Sequence, residues 1–294
     1  MHASHGSEHS HSHSFLERRR LIFCLILTSL IMFAEILGGF YSGSLALLSD
    51  AGHMFTDLFA LLGSFFAILI ASRPVNPSKT YGYYRIEVIA AFLNGLLLMG
   101  VALYIFYEAY ERYFVPQTVK ITLMFWVALL GLGVNLLTTF ILHDVKESNL
   151  NLKGAYFHVI SDTVSSLAVV LGAIVIYKTG FAKIDPILSA CISLLILFWA
   201  FRVVKDSIHV LMESTPKHIH MEEVIETLRR EVGGIQNLHD IHIWEITTHM
   251  YAMTAHVNVE DCRISENMKR TQKINQILSE RYHIEHVNLQ YECE

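Results

Sequence analysis

Two His-x-x-x-Asp pairs, His53 with Asp57 and His158 with Asp162, stand inside long apolar runs of this 294-residue sequence. The first lies in Ser49-Asp-Ala-Gly-His-Met-Phe-Thr-Asp57 and the second in Phe157-His-Val-Ile-Ser-Asp162. Ionisable side chains at membrane depth are costly and by default mark a functional site. A spacing of i, i+4 puts both members of a pair on one helix face. Two such helices facing each other offer two imidazoles and two carboxylates, a four-ligand set of the kind tetrahedral Zn²⁺ accepts. Imidazole suits zinc and other late first-row ions, whereas all-oxygen sites suit magnesium, calcium or manganese. Copper and nickel are not excluded by affinity alone. The competing reading, hydrogen bonds that hold a helix bundle together, loses weight because two matching pairs occur. They stand in separate spans that are both expected to start near the cytoplasmic side. Asp50, near its span's outer end, reads as a helix-start or gating residue and is left outside the set. Glu35, alone in the first span, is left unassigned, and Asn94 and Asn135 read as interhelical hydrogen-bonding groups.

These residues need spans to carry them. The sequence is 53% hydrophobic and 17% charged, against about a quarter charged in an average soluble domain, and its mean hydropathy is +0.41. A bilayer core takes about 20 apolar residues of helix. Six runs are long enough: 21–41, 45–71, 86–110, 121–142, 155–177 and 184–204. Eleven basic residues flank the span ends on one side: Arg18, Arg19, Arg20, Arg73, Lys79, Arg85, Lys146, Lys153, Arg202, Lys205 and Lys217. Arg112, Lys120, Lys178 and Lys183 flank the other, which predicts both termini in the cytoplasm. The start does not read as a cleavable signal peptide, because a polar tail leads through three arginines into a long apolar run.

The expected organisation is a His-rich cytoplasmic tail (1–20), a six-helix transmembrane domain (21–207) and a cytoplasmic α+β domain (208–294). In the last, 221–231 reads as an amphipathic helix stopped by Gly233-Gly234. Segments 238–247 and 251–260 read as strands, 265–282 as a helix and 284–292 as a final strand. The second strand alternates, with Tyr251, Met253, Ala255, Val257 and Val259 on one face and Thr254, His256, Asn258 and Glu260 on the other. In the final strand Val287, Leu289 and Tyr291 are expected to face inward. This order suggests helices on one face of a small sheet. A net charge of −5 argues against nucleic acid as a partner. Cys24, Cys191, Cys262 and Cys293 form no Cys-x-x-Cys pair and no disulfide framework.

At the paired residues the sequence resembles the cation diffusion facilitator family, in its zinc-transporting branch, and is similar to bacterial zinc efflux transporters. The match is carried by residues 43–57, Tyr81-Gly-Tyr-Tyr-Arg-Ile-Glu87, His158-Val-Ile-Ser-Asp162, Asp185-Pro186 and His239-Asp-Ile-His-Ile-Trp244. The resemblance implies an α-helical membrane protein, a six-span bundle followed by a small α+β ferredoxin-like cytoplasmic domain, assembled as a homodimer. It implies export of Zn²⁺, with Cd²⁺ and Co²⁺ as further candidate cargo, by proton antiport across the bacterial inner membrane. The family's transport positions fall on His53, Asp57, His158 and Asp162. A charge interlock of some relatives falls on Arg85 and Glu213. A cytoplasmic regulatory zinc site falls on His239, His256 and Glu292, with Gln290 where the family has a further ligand and His242 or Cys262 as substitutes.

Two departures from the family stand out. Tyr83 and Tyr84 occupy the connector where some relatives bind metal. The long His-rich loop of the eukaryotic transporters is missing, so His2, His5, His9, His11 and His13 are expected to collect metal instead. His209, His218, His220, His249, His283 and His286 read as surface residues.

An enzyme is not expected, because neither His-Glu-x-x-His nor repeated His-x-x-x-His boxes occur in the spans. A zinc-conducting channel and a membrane-anchored metal sensor are the alternatives. A ligand His must be neutral and a ligand Asp ionised, so metal binding releases protons. An imidazole of unperturbed pKa about 6.5 suits that exchange near neutrality.

Overall fold

The computed structural model of the protein describes residues 8–71, 77–115, 117–143, 150–260 and 263–293. Expectations that fall on His2, His5 and Cys262 lie outside these residues, as do the side chains of His9, His11 and His13. The elements are α1 (Glu8–Ser42), α2 (Leu45–Ala71), α3 (Arg85–Phe114), α4 (Ile121–His143), α5 (Leu150–Thr179), α6 (Ile184–Leu211), α7 (Met221–Glu231), β1 (Ile235–Thr247), β2 (Met250–Val259), α8 (Ile264–Tyr282) and β3 (Ile284–Cys293). Two compact units result, residues 1–61 with 94–201 and residues 62–93 with 202–294.

The first unit is helical. Among the described residues, six helices have apolar stretches long enough to cross a bilayer: Ile22–Ser42, Leu45–Ala71, Arg85–Phe114, Ile121–His143, His158–Thr179 and Ile184–Leu211. Large apolar side chains such as Leu30, Phe40, Phe140 and Leu195 are exposed along them, as a lipid-facing surface requires. Inside, α4 packs between α1 and α5. Between α4 and α5, Asn135 Nδ2 donates to Ser166 Oγ (3.0 Å) and the Thr139 and Thr163 hydroxyls meet at 3.2 Å. Leu142 and Val159 join one apolar cluster, so residue numbers run in opposite directions along the two helices. The α1–α2 turn has Gly43 at φ +75°, in the left-handed region that glycine favours. Helices α3 and α6 outrun their expected ends at 110 and 204. Polar groups such as Glu111 and Arg112 continue α3 beyond its apolar run, and α6 passes the expected domain boundary at 207 to reach Leu211.

The second unit contains the α+β part. The sheet order is β1-β2-β3, with β1–β2 antiparallel and β2–β3 parallel. Tyr251, Met253, Ala255, Val257 and Val259 are all buried in a core shared with Val224 and Leu228 of α7 and Ile274 and Leu278 of α8. Val287, Leu289 and Tyr291 pack against that core from β3. Helix α7 has Glu222 and Glu223 in its first turn and Arg229 and Arg230 in its last, matching its dipole. β1 starts at Ile235, three residues before its expected start, directly after Gly234 turns the chain at φ +82°. Three side-chain contacts tie segment 77–93 to the rest of this unit. Arg85 Nη2 meets Glu213 Oε1 at 2.6 Å, Thr247 Oγ1 donates to Glu87 Oε2 at 2.8 Å, and Tyr81 packs edge-on to His286.

Candidate metal centre

The first turn of α2 fixes where its later residues stand. Ser44 caps the helix, its Oγ accepting from Leu47 N–H at 3.3 Å. Asp185, from the start of α6, accepts from Leu45 N–H at 2.8 Å, Ala46 N–H at 3.2 Å and Ser44 Oγ at 2.5 Å. Helix α2 then carries His53 and, one turn on, Asp57, while α5 carries His158 and Asp162.

The structure brings the four side chains together, with one ligand atom from each within 4.8 Å of the others. His53 Nδ1 lies 3.6 Å from Asp57 Oδ2 and His53 Nε2 lies 3.7 Å from Asp162 Oδ1. His158 Nε2 lies 3.3 Å from Asp57 Oδ2 and 3.7 Å from Asp162 Oδ2. A tetrahedron with bonds of about 2.0 Å to its centre has edges of about 3.3 Å, so a zinc-sized ion fits this spacing with small movements. As hydrogen bonds the same separations are long. His53 Nδ1, Asp57 Oδ2 and Asp162 Oδ1 are buried without a hydrogen-bond partner. The cluster does not satisfy itself, as it would if it only held helices together. Asp162 is almost fully enclosed and His158 is 45% exposed, so the cluster opens on the His158 side.

The pairing order corrects one expectation. His53 faces Asp162 and Asp57 faces His158, while Asp50 lies beside Ser165 and Ser166. Residue numbers therefore ascend along α2 as they descend along α5. The two spans run antiparallel and cannot both start on the cytoplasmic side.

Of the two readings of Asp50, the helix start does not hold. The residue is buried inside α2, whose start is capped by other groups, and it accepts from Ser165 Oγ at 2.6 Å and Ser166 Oγ at 2.9 Å. Asn135 donates to Ser166 in turn, so Asp50 anchors a polar chain across three helices beside the cluster. The two serines were not singled out from sequence, and Asp185 was quoted there as part of a motif without a role. Vicinal serines one turn after His-x-x-x-Asp were the available signal.

In the second unit, His239, His256 and Glu292 also lie within 4.8 Å of one another. His239 stands opposite His256 in the β1–β2 register, and Glu292 reaches them from β3. Glu292 Oε2 is 3.2 Å from His239 Nε2 and its Oε1 is 2.8 Å from His256 Nδ1. Gln290 lies beside His256 and donates to Glu292 Oε1 at 3.0 Å, orienting that carboxylate. His242 turns instead to Asp240, at 3.1 Å. Asp240 sits at φ +48° in a β-bulge, and its other oxygen is 3.6 Å from His256 Nε2. Asp240 was quoted from sequence only as part of the motif of residues 239–244, and its place beside both His242 and His256 follows from the bulge. Of the histidines read as surface residues, His218, His249 and His283 line an open cleft with Tyr251 and Glu285.

The profile of the cation efflux transmembrane domain matches residues 21–212, and that of the cation efflux cytoplasmic domain matches residues 216–294. The chain belongs to the cation efflux family. The metal cation efflux system protein CzcD of Cupriavidus metallidurans is 41% identical over 98% of this chain and 90% of its own length. The cadmium, cobalt and zinc/H(+)-K(+) antiporter of Bacillus subtilis is 42% identical over 97% of this chain and 92% of its own. The zinc transporter ZitB of Escherichia coli is 37% identical over 97% and 91%.

As a cation efflux protein, the chain is an integral membrane transporter with a cytoplasmic C-terminal domain, not an enzyme. The four-residue cluster has the donor types for a late first-row divalent cation. Its separations are near those of a bound ion without being closed by hydrogen bonds, and one side is open to exchange. The cytoplasmic trio, two imidazoles and a carboxylate among the described residues, has the donor types for zinc.

Proposed function

We propose that this protein exports zinc from the cytoplasm in exchange for protons, with His53, Asp57, His158 and Asp162 as the transport ligands. The observation that carries this is the convergence of two imidazoles and two carboxylates at near-tetrahedral spacing, with three of their buried polar atoms unpartnered. Similar proteins named as a zinc transporter and as a cadmium, cobalt and zinc antiporter support zinc as cargo, with cadmium and cobalt as competitors. Neutral imidazole and ionised carboxylate bind the cation, and protons compete it off, so the same groups can run the exchange. The protein works in a bacterial cell membrane as a homodimer, with both termini inside. His239, His256 and Glu292 form a regulatory zinc site.

In proteoliposomes, an imposed pH difference should drive zinc uphill with the wild-type protein. His53→Ala and Asp162→Ala should abolish both zinc movement and the linked proton flux. Unchanged flux in either variant refutes the assignment, and zinc that only ever runs down its gradient refutes the exchange.

A further inference from the structure

Glu35 of α1 is fully buried, and neither of its carboxyl oxygens has a hydrogen-bond partner among the described residues. It stands apart from the four clustered ligand atoms. Opposite it on α4 is Gly131, where an added Cβ would overlap Glu35 Oε1. The bundle therefore keeps room for this carboxyl and gives it no donor.

Two other buried carboxylates of the same unit, those of Asp50 and Asp185, are treated differently. Asp50 takes two serine hydroxyls, and Asp185 takes two backbone N–H groups and a hydroxyl. Glu35 is not holding helices together by hydrogen bonds. Burying a carboxyl without donors is costly, so a residue kept in that condition points to a task other than structural support. The charged groups that act on it are Asp50 of α2 and Asp162 of α5. From α4 it meets Gly131, and Ile31, Met32, Met54 and Val134 make up the apolar cluster alongside.

From this placement we infer that Glu35 is a proton-carrying residue of the exchange, separate from the zinc ligands. It holds a proton while the four-residue cluster is vacant. When a divalent cation enters, two positive charges appear nearby and the carboxylate becomes the favoured form. Its proton then leaves the residue, and one returns when the cation departs. The inference rests on the zinc-for-proton reading above.

The test counts protons. Zinc is titrated into the full-length purified protein in buffers of different ionisation enthalpy, and the protons released per zinc are read from the heats. Cytoplasmic sites contribute equally to wild type and variant and cancel. Glu35→Gln, close in size and permanently neutral, should bind zinc with affinity within about tenfold of wild type and release about one proton fewer per protomer. Glu35→Asp, which keeps a carboxyl, should restore the count. An unchanged count in Glu35→Gln overturns the inference. Loss of zinc binding in that variant overturns it in favour of a ligand role. The underlying reading fails separately, if His53→Ala keeps the wild-type zinc stoichiometry.

Discussion

The carboxylate of Asp185 is the keystone of the α2 start, and replacing it gives a prediction whose size can be worked out. The first four N–H groups of a helix have no partner within it. In α2, Leu45 and Ala46 donate to Asp185, and Leu47 donates to Ser44 Oγ, which itself donates to Asp185. Asp185→Asn keeps Oδ1 and with it the Ser44 and Ala46 bonds. It places an amide N–H₂ where Oδ2 received Leu45 N–H at 2.8 Å, so two donors meet. One charge-assisted bond, worth about 1.5–3 kcal/mol, is lost. The favourable charge at a helix N-terminus goes with it, about 0.3–1 kcal/mol. The expected cost is therefore about 2–4 kcal/mol. Asp185→Ala leaves all three donors unpaired and should cost more.

The assay is equilibrium unfolding of the detergent-solubilised protein by added denaturing detergent, followed by helical content, alongside zinc transport in vesicles. His53 lies two turns beyond the cap on the same helix, so transport should fall in the order wild type, Asn, Ala. Ser44→Ala should behave as a partial version, costing about 1 kcal/mol through the lost cap. Because Ser44 and Asp185 share one network, the double variant should cost less than the sum of the two. An Asp185→Asn protein within about 0.5 kcal/mol of wild type would mean that the inter-helix cap is not what holds α2 in place.

Two further outcomes are expected in the second unit. Thr247→Val keeps shape but removes the donor to Glu87, and at about 1.5–3 kcal/mol amide exchange near Glu87 and Thr247 should accelerate tenfold or more. Unchanged protection there would count against the contact. The Arg281 guanidinium, with Arg230 behind it, holds the Glu231 carboxyl below the usual glutamate range. Because the folded pKa is depressed, the contribution is complete above the unfolded value of about 4.3 and disappears as pH falls through the lower folded value. Glu231→Gln should flatten that acid limb of the unfolding profile and leave the neutral region almost unchanged. An identical acid limb would show that the pair is screened out in solution.

How much of this could be read beforehand depends on the range of the force involved. Apolar runs declare spans because lipid contact asks the same of every side chain, and the i, i+4 pairs declare a shared face because helix geometry is local. The alternation in 251–259 is equally local, and the structure buries the expected five side chains. The limits of α3 and α6 were missed because hydropathy marks where the apolar stretch ends, not where backbone hydrogen bonding ends.

What joins distant segments left weaker traces. Nothing near Asp185 says that its carboxylate will cap a helix beginning 140 residues earlier, and nothing in the α2 motif says that α5 runs against it. The role of Asp50 stayed open for the same reason, since its partners are serines on another helix. In the cytoplasmic part, a single left-handed residue, Asp240, changes which side chains meet at His256. Tertiary partners also separate the two unassigned acids of the spans. Asp50 is embedded in donors and Glu35 is deprived of them, although both are acids set in apolar runs. A carboxyl that folding leaves unpaired is free to change its protonation without breaking the bundle. That freedom is what distinguishes a group able to carry a proton from one that holds the structure together.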